Sequence, residues 1–483
     1  MWEEVARLAD ADTGHPGAIE RLERIDVVYC QAWQYDDPPG RLAARLGADP
    51  KVANYSGIGG NVPQSIVSNA ARDILRGDLD LALVVGSEAL ATKRRLAKEG
   101  RKPAWSFRPG ERRPFPLDVF PHPGEVTHSV FEAWLTFALF ENAHRANLGS
   151  GLEEYRRSLG ELLSPMTAVA AANPHSWFPI VRGVEEIIGP TADNRMVGYP
   201  YSKLMTAIMD VDMAAAVLVA SDAAADSLGV PVDRRVYLRG WGYAEDPSAV
   251  AQRSDLWRSG AMEAASAAAL LGAGVGVGDV AHLDLYSCFA ISIEFALDAL
   301  GIEPGSARSA DPATPPDRPV TVTGGLAYHG GPGSNYLTHS LATMVDTLRA
   351  DPGALGMVSG VGMHMHKHVF AAYSTTPGTL IPPDDAEVAA QAAMAETPIV
   401  ESFEGPARVA TYSVVHGRDG APESAVLVCD LDAPSGTDPH RATARCYARL
   451  TDPAGLEAAE SEELIGRPVT ISPDGNGGNR ADL

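Results

Sequence analysis

A basic island interrupts an acidic chain. Lys93, Arg94, Arg95, Lys98, Arg101, Lys102, Arg108, Arg112 and Arg113 crowd a stretch whose only acids are Glu99 and Glu111. The whole chain has 39 Lys and Arg against 62 Asp and Glu, a net charge of −23. A cationic segment on an anionic protein focuses anions, so one reading is a docking place for a phosphate-bearing ligand. The other is a solvated loop. His364, His366 and His368 alternate; on a strand they would share one face and could approach a metal ion. No fourth ligand is in view, and no metal site is expected. Cys30, Cys288, Cys429 and Cys446 contain no CxxC pair, which speaks against a disulfide framework and against zinc.

The elements that must position such residues come from 483 residues, a length that fits about three domains at roughly 150 residues each. Apolar content of 45% and charged content of 21% are ordinary for a globular chain. No apolar run reaches the ~18 residues of a membrane helix, and the start, Met1-Trp2-Glu3-Glu4, has acids where a signal peptide has bases. The expectation is a soluble, cytoplasmic protein, and the acidic balance argues against nucleic acid as a partner. Ile25 to Cys30, Val52 to Ser56 and Leu81 to Val85 read as strands. Ile66, Val67, Ala70, Ala71, Ile74 and Leu75 give a helix between the last two. Strands alternating with helices predict an α/β sheet.

The pattern then repeats. Gly59-Gly60, Arg76 and Gly86 are spaced almost as Gly330-Gly331, Arg349 and Gly360, each set bracketing a helix and a strand. The expected organisation is an N-terminal half at 1–99, an inserted loop domain at 100–211 and a return strand within 212–233. A C-terminal half follows at 234–374, then a linker at 375–407. Alternation around the turn Gly417-Arg418-Asp419-Gly420 predicts a hairpin in a β-rich domain at 408–472. A flexible tail is expected at 473–483.

Two tandem α/β halves with an insertion after the first resemble the thiolase superfamily, and the motifs agree. Ala70-Ala71-Arg72-Asp73-Ile74, Gly77, Asp80 and Gly86-Ser87-Glu88-Ala89 look like the helix and strand that follow the thiolase nucleophile. Asp284-Leu285-Tyr286-Ser287-Cys288-Phe289 sits where thiolases carry Asn-Glu-Ala-Phe or His-Asp-Cys-Phe. Thr323-Gly324-Gly325 through Gly330-Gly331-Pro332 resembles their Gly-Gly…Gly-His-Pro segment. Tyr199-Pro200-Tyr201-Ser202-Lys203-Leu204 and the run at 330–336 look closest to actinobacterial acetyl-CoA acetyltransferase-like proteins. The β-rich domain resembles the C-terminal extension of thiolase-like proteins of type 1. The resemblance implies a thiolase fold plus a small, OB-like β domain, and a possible homodimer.

The resemblance also implies a nucleophilic cysteine and a histidine that lowers its pKa. Counting along the motifs, these positions fall on Gly60 and Gly331, which have no side chain to attack a thioester or take a proton. Remaining catalytic candidates are Tyr286, in the slot that helps bind the thioester oxygen, Cys288 and His329. Tyr286 could donate to an oxyanion or act in acid–base steps, or simply pack; Cys288 could be a small core residue. CoA or acyl-CoA is the expected ligand, held by Lys93, Arg94, Arg95, Tyr201 and Lys203. Thiolases begin with a strand that the resemblance places centrally in the first sheet. Here Met1 to Val5 already belongs to the next helix, so an incomplete start is expected.

Three functions follow: an acyl-CoA-binding thiolase-like protein of lipid metabolism that lacks the usual Cys–His chemistry, a retro-aldolase-type C–C lyase on acyl-CoA substrates, or a scaffold without ligand. The basic island favours the first two.

Overall fold

The computed structural model describes residues 1–105, 116, 121–431 and 442–483. The first half runs α1 (Trp2–Asp12), β1 (Arg24–Val27), α2 (Pro38–Leu46), β2 (Val52–Tyr55), α3 (Val62–Arg76), β3 (Leu81–Ala89) and α4 (Leu90–Lys98). Local signals set these limits. Asp37 caps α2 by accepting from the Gly40 amide, and α3 stops at Gly77, whose φ of 76° suits glycine. Ile66, Val67, Ala70 and Ala71 form the buried stripe of α3.

The insertion supplies α5 (Pro123–Thr127), α6 (Ala133–Asn147), α7 (Leu152–Ala172), α8 (Val184–Ile188) and the short strands β4 (Met196–Gly198) and β5 (Tyr201–Ser202). The chain returns through β6 (Asp212–Ala220), antiparallel to β3, and α9 (Asp222–Ser227). The second half is β7 (Tyr237–Glu245), α10 (Gly260–Ala273), β8 (Val280–Asp284), α11 (Ala290–Leu300), α12 (Tyr336–Ala350), β9 (Leu355–Gly362) and β10 (Lys367–Ser374).

The two sheets have the orders β2-β1-β3-β6 and β7-β10-β9-β8. Two parallel strands and one antiparallel strand recur in the same sequence order, β1, β3, β6 in one and β8, β9, β10 in the other. Helices α3 and α12 are packed between the sheets, where Ile66, Val67 and Val84 of the first half share a core with Leu337, Leu341, Val358 and Val369 of the second. The repeat read from glycine and arginine spacing is therefore a structural duplication.

Four expectations are corrected. In the second half the strand that precedes the first covering helix is β7, which among the described residues pairs with β10 alone; it is an edge strand, not a central one. Among the described residues no strand pairs with the outer side of β6, so one row is open there rather than two. His364 and His366 lie in the turn between β9 and β10, where Met363 and Met365 have φ of 53° and 58°. Only His368 is on the strand, so the alternation does not make a common face. The tail is not loose: β15 (Asn479–Asp482) pairs with β14 (Pro468–Pro473), and Asn479 and Ala481 are buried. Within 375–407, α13 (Asp385–Ala392) packs on α10 and β7, so the linker is a docked element.

The C-terminal domain adds β11 (Gly405–His416), β12 (Pro422–Leu431), β13 (Ala444–Leu450), α14 (Pro453–Ser461), β14 and β15. Strand order β12-β13-β15-β14-β11 with a further β11–β12 pairing closes a five-stranded barrel. β4 pairs with β11, tying the barrel to the insertion. Among the described residues, no helix is long and apolar enough to cross a membrane.

Candidate functional site

The two glycine turns meet at the junction of the halves. The Gly59 amide donates to Ser334 Oγ at 3.1 Å, linking the start of α3 to the start of α12. A Cβ built on Gly60 would stand 2.0 Å from Tyr286 Oη, 2.2 Å from its Cζ and 2.5 Å from the Val361 carbonyl oxygen. The phenol thus fills the space that any side chain at position 60 would need. Tyr286 follows the end of β8, is 5% exposed, and its amide donates to Ser359 Oγ at 2.9 Å. Its ring stands edge-on to Tyr336, centroids 5.6 Å apart. Burial holds the Tyr286 hydroxyl well above its usual pKa, so it stays protonated and can serve as a hydrogen-bond donor.

Gly331 is different. Its amide donates to the Ile208 carbonyl at 2.9 Å, and a Cβ there would meet nothing nearer than that oxygen at 3.3 Å. Beside it, His329 is fully buried. Asn173 Nδ2 donates to the Thr323 carbonyl at 3.0 Å, and Asn173 Oδ1 accepts from the His175 amide at 2.9 Å, which orients the amide. The same Nδ2 lies 3.4 Å from His329 Nδ1, with Ser176 Oγ at 3.2 Å. An amide NH2 only donates, so Nδ1 is the acceptor and the proton sits on Nε2. That Nε2 is buried without a partner. Burial first, and then His175, pulls the pKa to about 4; the ring is neutral near pH 7. Cys288 is half-buried, its Sγ 3.2 Å from Ser292 Oγ. Burial pushes its thiol up to about 12, so it is not an activated nucleophile.

Two buried groups near the junction were not singled out by the sequence. His339 on α12 is buried 5.5 Å, centroid to centroid, from His329, and its Nε2 also lacks a partner. Glu88 is fully buried at the end of β3 and accepts from the Gln31 and Ala32 amides at 2.6 and 2.9 Å; burial raises its pKa. A carboxylate ending an apolar strand was the available signal for Glu88. His339 gave none, since helical position alone does not show what a side chain faces.

An open cleft of about 560 Å³ lies over this junction, lined among others by Arg94, Trp134, Arg195, Lys203, Ile208 and Met209. Ala207 and Ile208 line it and also lie beside Gly331, whose Cβ would stand 3.3 Å from the Ile208 carbonyl oxygen and 3.6 Å from Ala207 Cβ. A neighbouring hollow of about 410 Å³ shares Arg94 and adds Arg95 and Lys98. Arg94 is ion-paired with Asp210, while Arg95 faces Glu99 at 3.5 Å. Lys203 Nζ donates to the Asp193 carbonyl at 3.3 Å. Lys93 is exposed on α4 and lines neither hollow. The structure therefore brings Arg94 and Lys203 together and sets Arg95 beside them. Tyr201 is a correction: it is fully buried, donates to Glu141 Oε2 at 2.6 Å and packs on Phe289. It belongs to the core behind the cleft. Arg108, Arg112 and Arg113 lie outside the described residues. Arg195 and Trp134 were missed because distant segments carry them. Among the described residues, no group of three or more His, Cys, Asp or Glu could hold a metal ion.

Comparison with known proteins agrees with this architecture. The family model of the thiolase-like protein type 1 additional C-terminal domain matches residues 386–476. The crystal structure of a monomeric SCP2-thiolase-like protein type 1 from Mycobacterium smegmatis matches with a TM-score of 0.84 and 30% identity, over 100% of this chain and 94% of that one. Human mitochondrial 3-ketoacyl-CoA thiolase in complex with CoA matches at TM-score 0.53 and 14% identity, covering 78% of this chain and 91% of that one; this likeness speaks to fold alone. An acetyl-CoA acetyltransferase of Methanothermobacter thermautotrophicus is 28% identical over 217 residues, 42% of this chain, and the chain spans only 55% of that relative. With the duplicated halves and the fused barrel both present, the chain belongs to the SCP2-thiolase-like proteins of type 1.

Proposed function

We propose that the protein binds a CoA thioester in the cleft over the junction of the halves, without the cysteine-based chemistry of a thiolase. The observation that carries this reading is the placement of Arg94, Arg195 and Lys203 around a cleft also lined by Ala207 and Ile208, which lie beside Gly331. The cations suit the phosphates of CoA, and the Ala207-Ile208 side of the cleft would lead its sulfur toward the Gly331 turn. Gly60 and Gly331 stand where the thiolase resemblance puts the nucleophile and its histidine. The Tyr286 phenol at Gly60 and the neutral His329 supply hydrogen-bond donors for a carbonyl oxygen. They also support the retro-aldolase alternative, which requires an acid–base group rather than a nucleophile.

Titration calorimetry with CoA tests the reading. Wild type binds, and Arg94→Ala with Lys203→Ala weakens binding by about 1–3 kcal/mol. Asp210→Asn strengthens it, because Arg94 no longer has to leave a carboxylate. Tyr201→Phe leaves affinity unchanged. Absence of CoA binding at millimolar ligand sinks the proposal. For assembly, the Mycobacterium relative is described as monomeric, which supports a monomer over the homodimer expected from the superfamily; light scattering decides between them.

A further inference from the structure

The C-terminal barrel holds a pair of thiols that the cleft does not use. Cys429 on β12 and Cys446 on β13 are register partners on adjacent antiparallel strands. Both are fully buried in the barrel core, and both are free thiols. Directly opposed residues of an antiparallel pair project from the same face, with Cα atoms ~4.5 or ~5.5 Å apart according to the type of pair. A disulfide spans Cα separations of ~4.4–6.8 Å, so the register already supplies the separation a bond requires. The Cys429 thiol is held well above its ordinary pKa, first by a hydrogen bond with the Cys446 thiol and then by burial. As register partners buried in the same barrel core, the two side chains stand on one face of the strand pair.

The other two cysteines are placed differently. Cys30 Sγ faces Glu88 Oε2 at 3.7 Å and Cys288 Sγ faces Ser292; neither stands opposite a thiol. On the side away from β12, the strand pairings of β13 among the described residues are Arg449↔Arg480 and Ile399↔Arg445. Access for a small reagent requires local opening there.

We propose that Cys429 and Cys446 are a cross-strand disulfide site, closed by exchange with a small-molecule disulfide. One protein thiolate attacks the reagent's S–S bond, forming a mixed disulfide and releasing one reagent thiol. The second protein thiolate displaces the other reagent thiol, and the protein S–S bond forms. Two S–H bonds are lost from the protein, and their protons and two electrons end on the two reagent thiols. The closed bond cross-links β12 to β13 across residues 430–445.

The test uses the full-length folded protein, equilibrated with oxidised glutathione, quenched in acid, unfolded and alkylated. Intact mass falls by two hydrogens before alkylation, and peptide mapping finds Cys429 joined to Cys446, with Cys30 and Cys288 alkylated as controls. Dithiothreitol restores four alkylation sites. Cys446→Ser loses the cross-link and at most carries glutathione on Cys429. If that variant does not fold, mapping of the wild type decides alone. Alkylation of all four cysteines after oxidant treatment, stable glutathione adducts on both barrel cysteines, or a bond between any other pair overturns the proposal.

Discussion

The two α/β halves share three strands and differ in the fourth, and the fourth is added on opposite sides. In the second half β7 covers β10, and every residue of β10 is buried. In the first half the equivalent strand, β6, pairs with β3 alone, and only Met213 and Ala215 are buried. The first half instead extends beyond β1 with β2, whose residues are exposed or half-buried. Covering helices follow suit. On β7, Gly240 and Gly242 allow the strand to lie directly on the α10 backbone, whereas α1 leaves Leu8 62% exposed. Duplicating a chain segment duplicates its local pattern. Burial depends on what is set beside it.

The second half is also bolted to the barrel through its fourth strand. Asp246, just past β7, pairs with Arg253 at 3.5 Å and with His368 Nε2 at 3.2 Å, all three side chains fully buried. Arg445 of β13 donates to the Arg253 carbonyl and reaches Asp430 at 2.6 Å. No comparable link is seen for β6 among the described residues.

The sharpest way to break this asymmetry is Asp246→Ala. It leaves Arg253 buried without its carboxylate and should cost about 3–5 kcal/mol in denaturant unfolding. A loss below 1 kcal/mol would mean the anchor is dispensable. The pH dependence carries the same sign. Burial raises the Asp246 pKa, but Arg253, His368 and Ser259 outweigh it and bring it down to about 2. Its stabilisation is present above pH ~4 and is lost as pH falls through about 2.

Glu141 of the insertion titrates the opposite way. Burial pushes its pKa up to about 8 against the opposing hydrogen bonds from Tyr155 and Tyr201. Its contribution is full below pH ~4.5 and is lost as pH rises through about 8, a difference of a few kcal/mol. Glu141→Gln should flatten the stability profile over that window; an unchanged profile would show that the carboxyl is ionised in the fold.

Gly242→Val sharpens the comparison of edges. A Cβ there lies 2.2 Å from the Ala265 carbonyl oxygen, so the strand must lift from α10, at about 1–3 kcal/mol. Ala214→Val on β6, which has an open edge, should cost under ~0.5 kcal/mol by the same measurement. Equal losses would erase the distinction between the covered strand and the open one.

At the junction, Gly60→Ala should cost about 1–3 kcal/mol through collision with the Tyr286 ring. Much of that loss should return in the pair Gly60→Ala with Tyr286→Leu, since residues in contact are not additive. Additive losses would show that Tyr286 does not occupy the position-60 space.

By itself the sequence determined the helix at 66–75, the strands β1, β2 and β3, the β11–β12 hairpin and the repeated spacing. Apolar spacing, glycine stops and the hairpin turn are local and need no partner to be read. It also placed Gly60 and Gly331 at the turns, and Arg94 and Lys203 in segments that do converge. The tertiary structure decided the rest. Tyr201 is polar and stands in a motif, yet Glu141 from another helix holds its hydroxyl in the core. The histidine alternation failed because positive φ at Met363 and Met365 turns the chain before a strand can form. The tail's Gly and Asn suggested looseness, but β14 offered its backbone a ladder. That the first strand of a half is an edge strand was visible only in the neighbour of β10. Each of these depends on a residue far away in the chain that supplies or withholds a hydrogen bond, a charge or a covering surface, and local spacing contains no record of it.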